Sequence, residues 1–134
     1  MDHSLYFEDL KQGEVFESTG RTVTETDMTF FSMLSGDWNP IHCDQDFASQ
    51  TRFGERLVHG AFGIAIATGM MHTLGIFEKS AVAMMSISDW KFVKPITVGM
   101  TLRLRLTILD FEEGTSKRVG RVNRRLQLCL LYTS

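Results

Sequence analysis

From Thr101 to Ile108 the chain alternates apolar and polar residues with a period of two: Leu102, Leu104, Leu106 and Ile108 against Arg103, Arg105 and Thr107. Successive side chains of a strand point to opposite faces, so this stretch reads as a strand with one buried face. Upstream, Ala61 to Leu74 is apolar nearly all round, rich in small residues, and interrupted only by Gly63, Thr68, Gly69, His72 and Thr73. A helix without a polar face is a buried one, and its glycines suit close packing against strands. Val15 to Val23 reads as a first strand. Thr24 then offers an N-cap, Met28, Phe31 and Leu34 recur every third residue, and Gly36 supplies a stop, which predicts a short helix. Asp44 to Ser49 adds a helical turn capped by Asp44, with Phe47 and Ala48 facing in. Val82 to Phe92 is strand-like, Pro95 and Gly99 mark a turn, Glu112 to Ser116 turns the chain again, and Arg118 to Leu128 makes a further strand. Helices first and strands after them give an α+β domain.

A length of 134 residues fits one domain, 1–134, with a core large enough to need no staple. Cys43 and Cys129 are too few for a disulfide framework and form no Cys-x-x-Cys pair, so free thiols in a reducing compartment are expected. The polar start Met1-Asp2-His3-Ser4-Leu5 lacks a basic stretch followed by an apolar run, which leads to an expectation of no secretory leader and of cytoplasmic residence. Ala61 to Leu74 falls short of the roughly 20 apolar residues that span a bilayer, so no membrane is expected as a partner. The net charge is −2, and the arginines are scattered over candidate strands (Arg103, Arg105) and the tail (Arg118, Arg121, Arg124, Arg125), which makes no nucleic-acid footprint.

Chemistry concentrates in Ser35-Gly36-Asp37-Trp38-Asn39-Pro40-Ile41-His42. On an unbroken helix, residues five apart point about 140° away from each other, so Asp37 and His42 would not serve one reacting atom. Pro40 lacks an amide proton and drives Asn39 out of the helical region, so the chain turns there and a carboxylate and an imidazole are free to converge. The same residues are also good turn chemistry, with Asp37 or Asn39 able to cap a helix beginning near Asp44; the residue types alone leave both readings open. The full pattern, Ser35-Gly36-Asp37-x-Asn39-Pro40-x-His42 with Ala48 after five more residues, resembles the signature of the MaoC-like dehydratases, the (R)-specific enoyl-CoA hydratase or hydratase 2 family. Two flanking features resemble the same family: Tyr6-Phe7-Glu8-Asp9-Leu10 with Gly13, and Phe53-Gly54-Glu55-Arg56-Leu57-Val58-His59-Gly60. The resemblance runs from Tyr6 to about Leu109.

The resemblance implies a hot-dog fold, a curved antiparallel sheet wrapped around one long helix, paired into a homodimer with its site at the interface. It implies hydration of a trans-2-enoyl-CoA to an (R)-3-hydroxyacyl-CoA, or the reverse dehydration, with an acyl-CoA thioester as substrate and partner and no cofactor beyond the coenzyme A of that substrate. Asp37 and His42 would hold the water, with Asn39 and Ser35 supporting the turn. Gly60, where the buried helix begins, would offer its amide to the thioester oxygen, or is a glycine chosen only for close packing. His42, Asp44 and Asp46 alternate, but three ligands bunched in one loop make a weak metal pattern, and none is expected. His59 reads as a structural hydrogen-bonder, His72 as a core or surface residue, His3 as tail, and Trp38 as a plug over the turn. Met70, Met71, Met84 and Met85 read as core or interface filler, or as the soft lining of an acyl tunnel.

Two other functions share this architecture. A thioesterase usually relies on a carboxylate near the start of the central helix, where this chain has Ala61, Phe62 and Gly63; a non-catalytic acyl-thioester binding module is the remaining alternative. After Arg125 the chain departs from the family, which continues with a completed strand, a turn and a final strand. An incomplete last strand and a truncated or non-native tail from about residue 126 are therefore expected.

Overall fold

The alternating stretch forms the central strand of the sheet. The computed structural model describes residues 4–114 and 119–130; His3, Thr115, Ser116, Arg118 and the last four residues lie outside them. In β3 (Thr101–Glu113), Leu102, Leu104, Leu106 and Ile108 are all buried, while the residues between them are only partly so. β1 (Val15–Glu17) and β2 (Arg21–Thr22) pair antiparallel with one edge of β3, and β4 (Gly120–Leu130) pairs antiparallel along the other. The first strand expected from sequence is thus two, with one extra residue between Glu17↔Arg105 and Arg21↔Leu102. Ser18 occupies that bulge. Its backbone N–H donates to the Leu104 carbonyl (2.9 Å) and its hydroxyl accepts the Leu104 N–H (2.8 Å), so the side chain completes the ladder that the extra residue interrupts.

α1 (Glu25–Ser35) begins at Thr24 with a capping box: the Thr24 hydroxyl accepts the Asp27 N–H and the Asp27 carboxylate accepts the Thr24 N–H. It ends at Gly36, whose φ of 78° is left-handed. Its buried positions are Met28 and Ser32; Leu34 is 78 % exposed, so the face expected over Met28, Phe31 and Leu34 turns away from the core in its last turn. α2 (Pro40–Cys43) and α3 (Gln45–Ser49) follow, α3 capped by Asp44 with Ala48 inside and Phe47 left half exposed. α4 (Gly60–Thr73) is the long helix, laying Phe62, Ile66, Ala67 and Met70 against Leu102 and Leu104 of β3 and Leu126, Leu128 and Leu130 of β4. Gly63 sits close to the sheet: a Cβ there would meet Ile96 and Leu128 at 3.7 Å. His72 is at the surface.

The strand expected over Val82 to Phe92 does not form; no residue from 81 to 97 is in a ladder. Its apolar side chains have no layer to pack on, Val82 being 82 % and Met85 77 % exposed, and strand propensity without a neighbour to pair and pack against is not enough. Only Trp90 and Ile96 reach the core from this segment. β4 pairs with β3 from Gly120 to Leu130, so residues 126–130 of the questioned tail are sheet. Cys43 is exposed and Cys129 buried, and both are free thiols. Among the described residues no helix is long and apolar enough to cross a membrane.

Candidate functional site

Between α1 and α2 the chain turns through residues that hydrogen-bond one another. The Ser35 hydroxyl donates to the Phe31 carbonyl (2.7 Å) and accepts the Asp37 N–H (3.1 Å). Asp37 Oδ1 accepts the Asn39 N–H (3.2 Å), and Asn39 Oδ1 in turn accepts the Ile41 N–H (3.1 Å), capping α2 with Pro40 at its first position. Ser35 and Asn39 therefore form the turn. The turn brings Asp37 Oδ2 to 3.5 Å from His42 Nε2, with the carboxylate half exposed and the imidazole mostly covered.

The opposite ring nitrogen of His42 fixes the tautomer. Nδ1 lies 2.7 Å from the Leu57 carbonyl, which can only accept, so Nδ1 carries the proton and donates it. The neutral ring then offers its lone pair at Nε2, facing Asp37. At 3.5 Å the two groups are beyond ordinary hydrogen-bond length, a spacing that a third polar atom can share. A cavity of about 140 Å³ opens beside His42, walled by Ser32, Trp38, Cys43, Glu25 and Arg56 among others. Trp38 is 51 % exposed, a wall of this cavity rather than a buried plug.

The loop behind the site is tied to α1. Arg56 makes a two-pronged ion pair with Glu25, both contacts 2.7 Å, and reaches Gln45 at 3.1 Å. That hydrogen-bonded guanidinium holds the Glu25 carboxyl below its ordinary pKa. The Leu57 N–H donates to the Ile41 carbonyl and the Val58 N–H to the Ile96 carbonyl, placing His59 under the turn. His59 is 2 % exposed; its ring stacks on His42 with centroids 3.9 Å apart and planes 23° from parallel. Its Nε2 lies 2.8 Å from the Ser32 hydroxyl and 3.1 Å from the Asp37 carbonyl. Burial pushes the His59 pKa down, and nearby His42 adds to that, while the Asp37 carbonyl opposes it. Burial thus favours the neutral imidazole. Neither this stacking nor the role of Ser32 was legible in the chain order, because both depend on His59, 27 residues from Ser32 and on a separate loop.

Gly60, next after His59, opens α4, where a helix leaves its first amides unpaired. A Cβ there would meet the ring of Phe92 at 2.8 Å, but Phe92 is itself 66 % exposed and free to shift, so packing alone does not require a glycine. Among the described residues, one cluster has ligand-like atoms within 4.8 Å of one another: Asp37, His42 and His59. The rings of the two histidines stack, so an ion in the plane of one nitrogen would lie outside the plane of the other; the arrangement does not suit a shared metal. Asp44 is occupied as the cap of α3, its Oδ1 accepting the Phe47 N–H. A second, apolar groove of about 500 Å³ runs between α1 and α4, lined by Phe30, Phe31, Leu34, Phe62, Ile66 and Met70 among others.

Residues 8–127 match the MaoC like domain family. The protein MaoC of Klebsiella aerogenes is 36 % identical over 102 residues, covering 76 % of this chain and 30 % of that one. The (R)-specific enoyl-CoA hydratase of Rhodospirillum rubrum is 32 % identical over 103 residues, 77 % of this chain and 69 % of the relative. The chain thus spans less than a third of the first relative and about two thirds of the second. The crystal structure of a protein described as a monoamine oxidase regulatory protein from Archaeoglobus fulgius superposes with a TM-score of 0.88 at 30 % identity, over 98 % of this chain and 87 % of that one. The sheet around its central helix is the hot-dog fold.

Proposed function

Because the chain belongs to the MaoC-like domain family, we propose that it adds water to a trans-2-enoyl-CoA to give the (R)-3-hydroxyacyl-CoA, or runs the reverse dehydration, with Asp37 and His42 as the catalytic pair. The observation that carries this reading is the 3.5 Å approach of Asp37 Oδ2 to the lone-pair nitrogen of His42. A water held between them loses one proton as its oxygen bonds to Cβ, and the resulting enolate regains one at Cα. His42 Nε2 is the atom built to accept the first proton, since Nδ1 is committed to Leu57. A positioned acid or base of this kind contributes about 10²–10⁴-fold. The Gly60 amide, at a helix N-terminus, is the proposed donor to the developing enolate oxygen. The chemistry is proton transfer and addition, so it calls for no metal and no redox cofactor. Spectrophotometric loss of crotonyl-CoA and of a medium-chain enoyl-CoA tests the reading; a folded chain inert on both would count against it.

We further propose a homodimer. Phe30, Met33 and Leu34 of α1 are 65–78 % exposed beside the apolar groove, and the unpaired segment carrying Val82 and Met85 is exposed too, large apolar side chains that a protein contact would cover. A second copy of the chain is the proposed occupant. Sedimentation should give about twice the 15.2 kDa chain mass, and Leu34→Asp should shift it to the monomer. A wild type sedimenting as a monomer at micromolar concentration would remove the dimer from the account.

A further inference from the structure

His59 carries a feature that packing does not explain. With the proton of Nε2 directed at the Asp37 carbonyl, Nδ1 is left as a buried acceptor with no hydrogen-bond partner. A phenylalanine would fill the same space beside Phe31, which packs edge-on against this ring at 5.0 Å and against Phe62 at 5.8 Å, and would remove the orphaned nitrogen, but it would also take away the Nε2 that lies 2.8 Å from the buried Ser32 hydroxyl. What an imidazole supplies and a phenyl ring does not is an N–H at its tip together with a flat face. Both are used on the site: the N–H on the backbone of Asp37, the face on the ring of His42.

We infer that His59 is the positioning residue of the pair, holding Asp37 through its main chain and His42 through its ring face so that Oδ2 and Nε2 stay in reach of one water. The inference deepens the hydratase reading and rests on it for its kinetic consequences. A carbonyl that only accepts faces Nδ1 of His42 and Nε2 of His59, which assigns them opposite tautomers, Nδ1–H and Nε2–H, the Ser32 hydroxyl being the second group at His59 Nε2, 2.8 Å away. Two rings at 3.9 Å do not both hold a charge comfortably, so the proton taken during turnover belongs to His42, against the neutral face of His59. Asp37 faces both rings; His42 also shares its cavity with the Cys43 thiol and with the Arg56–Glu25 pair, and Ser32 is the hydroxyl at His59 Nε2. The burial that favours neutral His59 supports the same division of roles.

Imidazole ¹⁵N and ¹H NMR of the wild-type chain at about pH 7 reads this division without any substrate. His59 should be the neutral Nε2–H tautomer; a His59 that carries its proton on Nδ1 overturns the inference even if the chain is a hydratase. Two substitutions then separate the contacts. His59→Phe keeps the stack and removes the N–H, and should lower kcat at least tenfold with KM within about twofold. His59→Gln keeps a donor and removes the stacked face, and should recover part of the kcat that His59→Phe loses. Folded variants with wild-type kcat would make His59 a packing residue only. If neither variant folds, the wild-type spectrum decides. A wild type with the stated tautomers but no enoyl-CoA turnover would refute the hydratase reading and leave the arrangement standing.

Discussion

Asp37→Asn should lower enoyl-CoA turnover by about 10²–10⁴-fold while the chain keeps its fold, because the substitution removes a carboxylate's charge and little else. Asp37 is half exposed at its side chain, so its loss strands no buried partner. The structural bond that it makes, from the Asn39 N–H to Oδ1, is one an asparagine carbonyl can also accept, so the turn survives. What disappears is the ionisable oxygen 3.5 Å from His42 Nε2. His42→Ala should cost turnover as heavily but stability more, since it also removes the Leu57 contact, worth about 0.5–1.5 kcal/mol, and the ring on which His59 stacks. Turnover by steady-state assay beside a thermal melt separates the two effects. An Asp37→Asn enzyme within threefold of wild type would remove Asp37 from the chemistry.

Leu104→Asp should abolish the cooperative melt. Leu104 is wholly buried at the middle of β3, opposite Leu128 of β4 and in one cluster with Phe62, Ile66 and Ala67 of α4. Truncating such a leucine costs about 2–5 kcal/mol, and a carboxylate in its place adds several more for an unpaired polar group in an apolar layer. Together these match the whole stability of a small domain, about 5–15 kcal/mol. Arg103→Gln, one residue away on the opposite face, loses only a 3.9 Å contact to Glu17 and should change stability by less than about 1 kcal/mol. Circular dichroism melts of the two variants read the register of β3 directly; a Leu104→Asp chain melting like wild type would contradict it.

The parts legible in sequence were those set by local chemistry. The period of two in β3, the cap at Thr24, the left-handed stop at Gly36 and the start of α4 at Gly60 each follow from neighbouring residues, and each stands where the pattern put it. The parts that were not legible depend on what lies across the fold. Val82 to Phe92 has the composition of a strand but finds no edge to pair with, and Leu34 and Phe47 have the spacing of buried residues without a layer to cover them. Ser18 shows the same limit on a smaller scale, because its bulge is defined by the partner Leu104, 86 residues away. At the site, Pro40 announced the turn, which left Asp37 and His42 free to converge without requiring it; their 3.5 Å approach is set by the tertiary structure. The Leu57 carbonyl that fixes the His42 tautomer, and the His59 ring that lies against it, come from a loop whose position only the tertiary structure sets.

The most direct test of the central claim is the configuration of the product formed from crotonyl-CoA, determined by chiral separation of the hydrolysed 3-hydroxy acid. A water held on one face of the substrate by Asp37 and His42 should give the (R) acid alone, with none formed by Asp37→Asn above the uncatalysed background. Formation of the (S) acid or of a racemate, or free thiol released without any hydroxy acid, would contradict it.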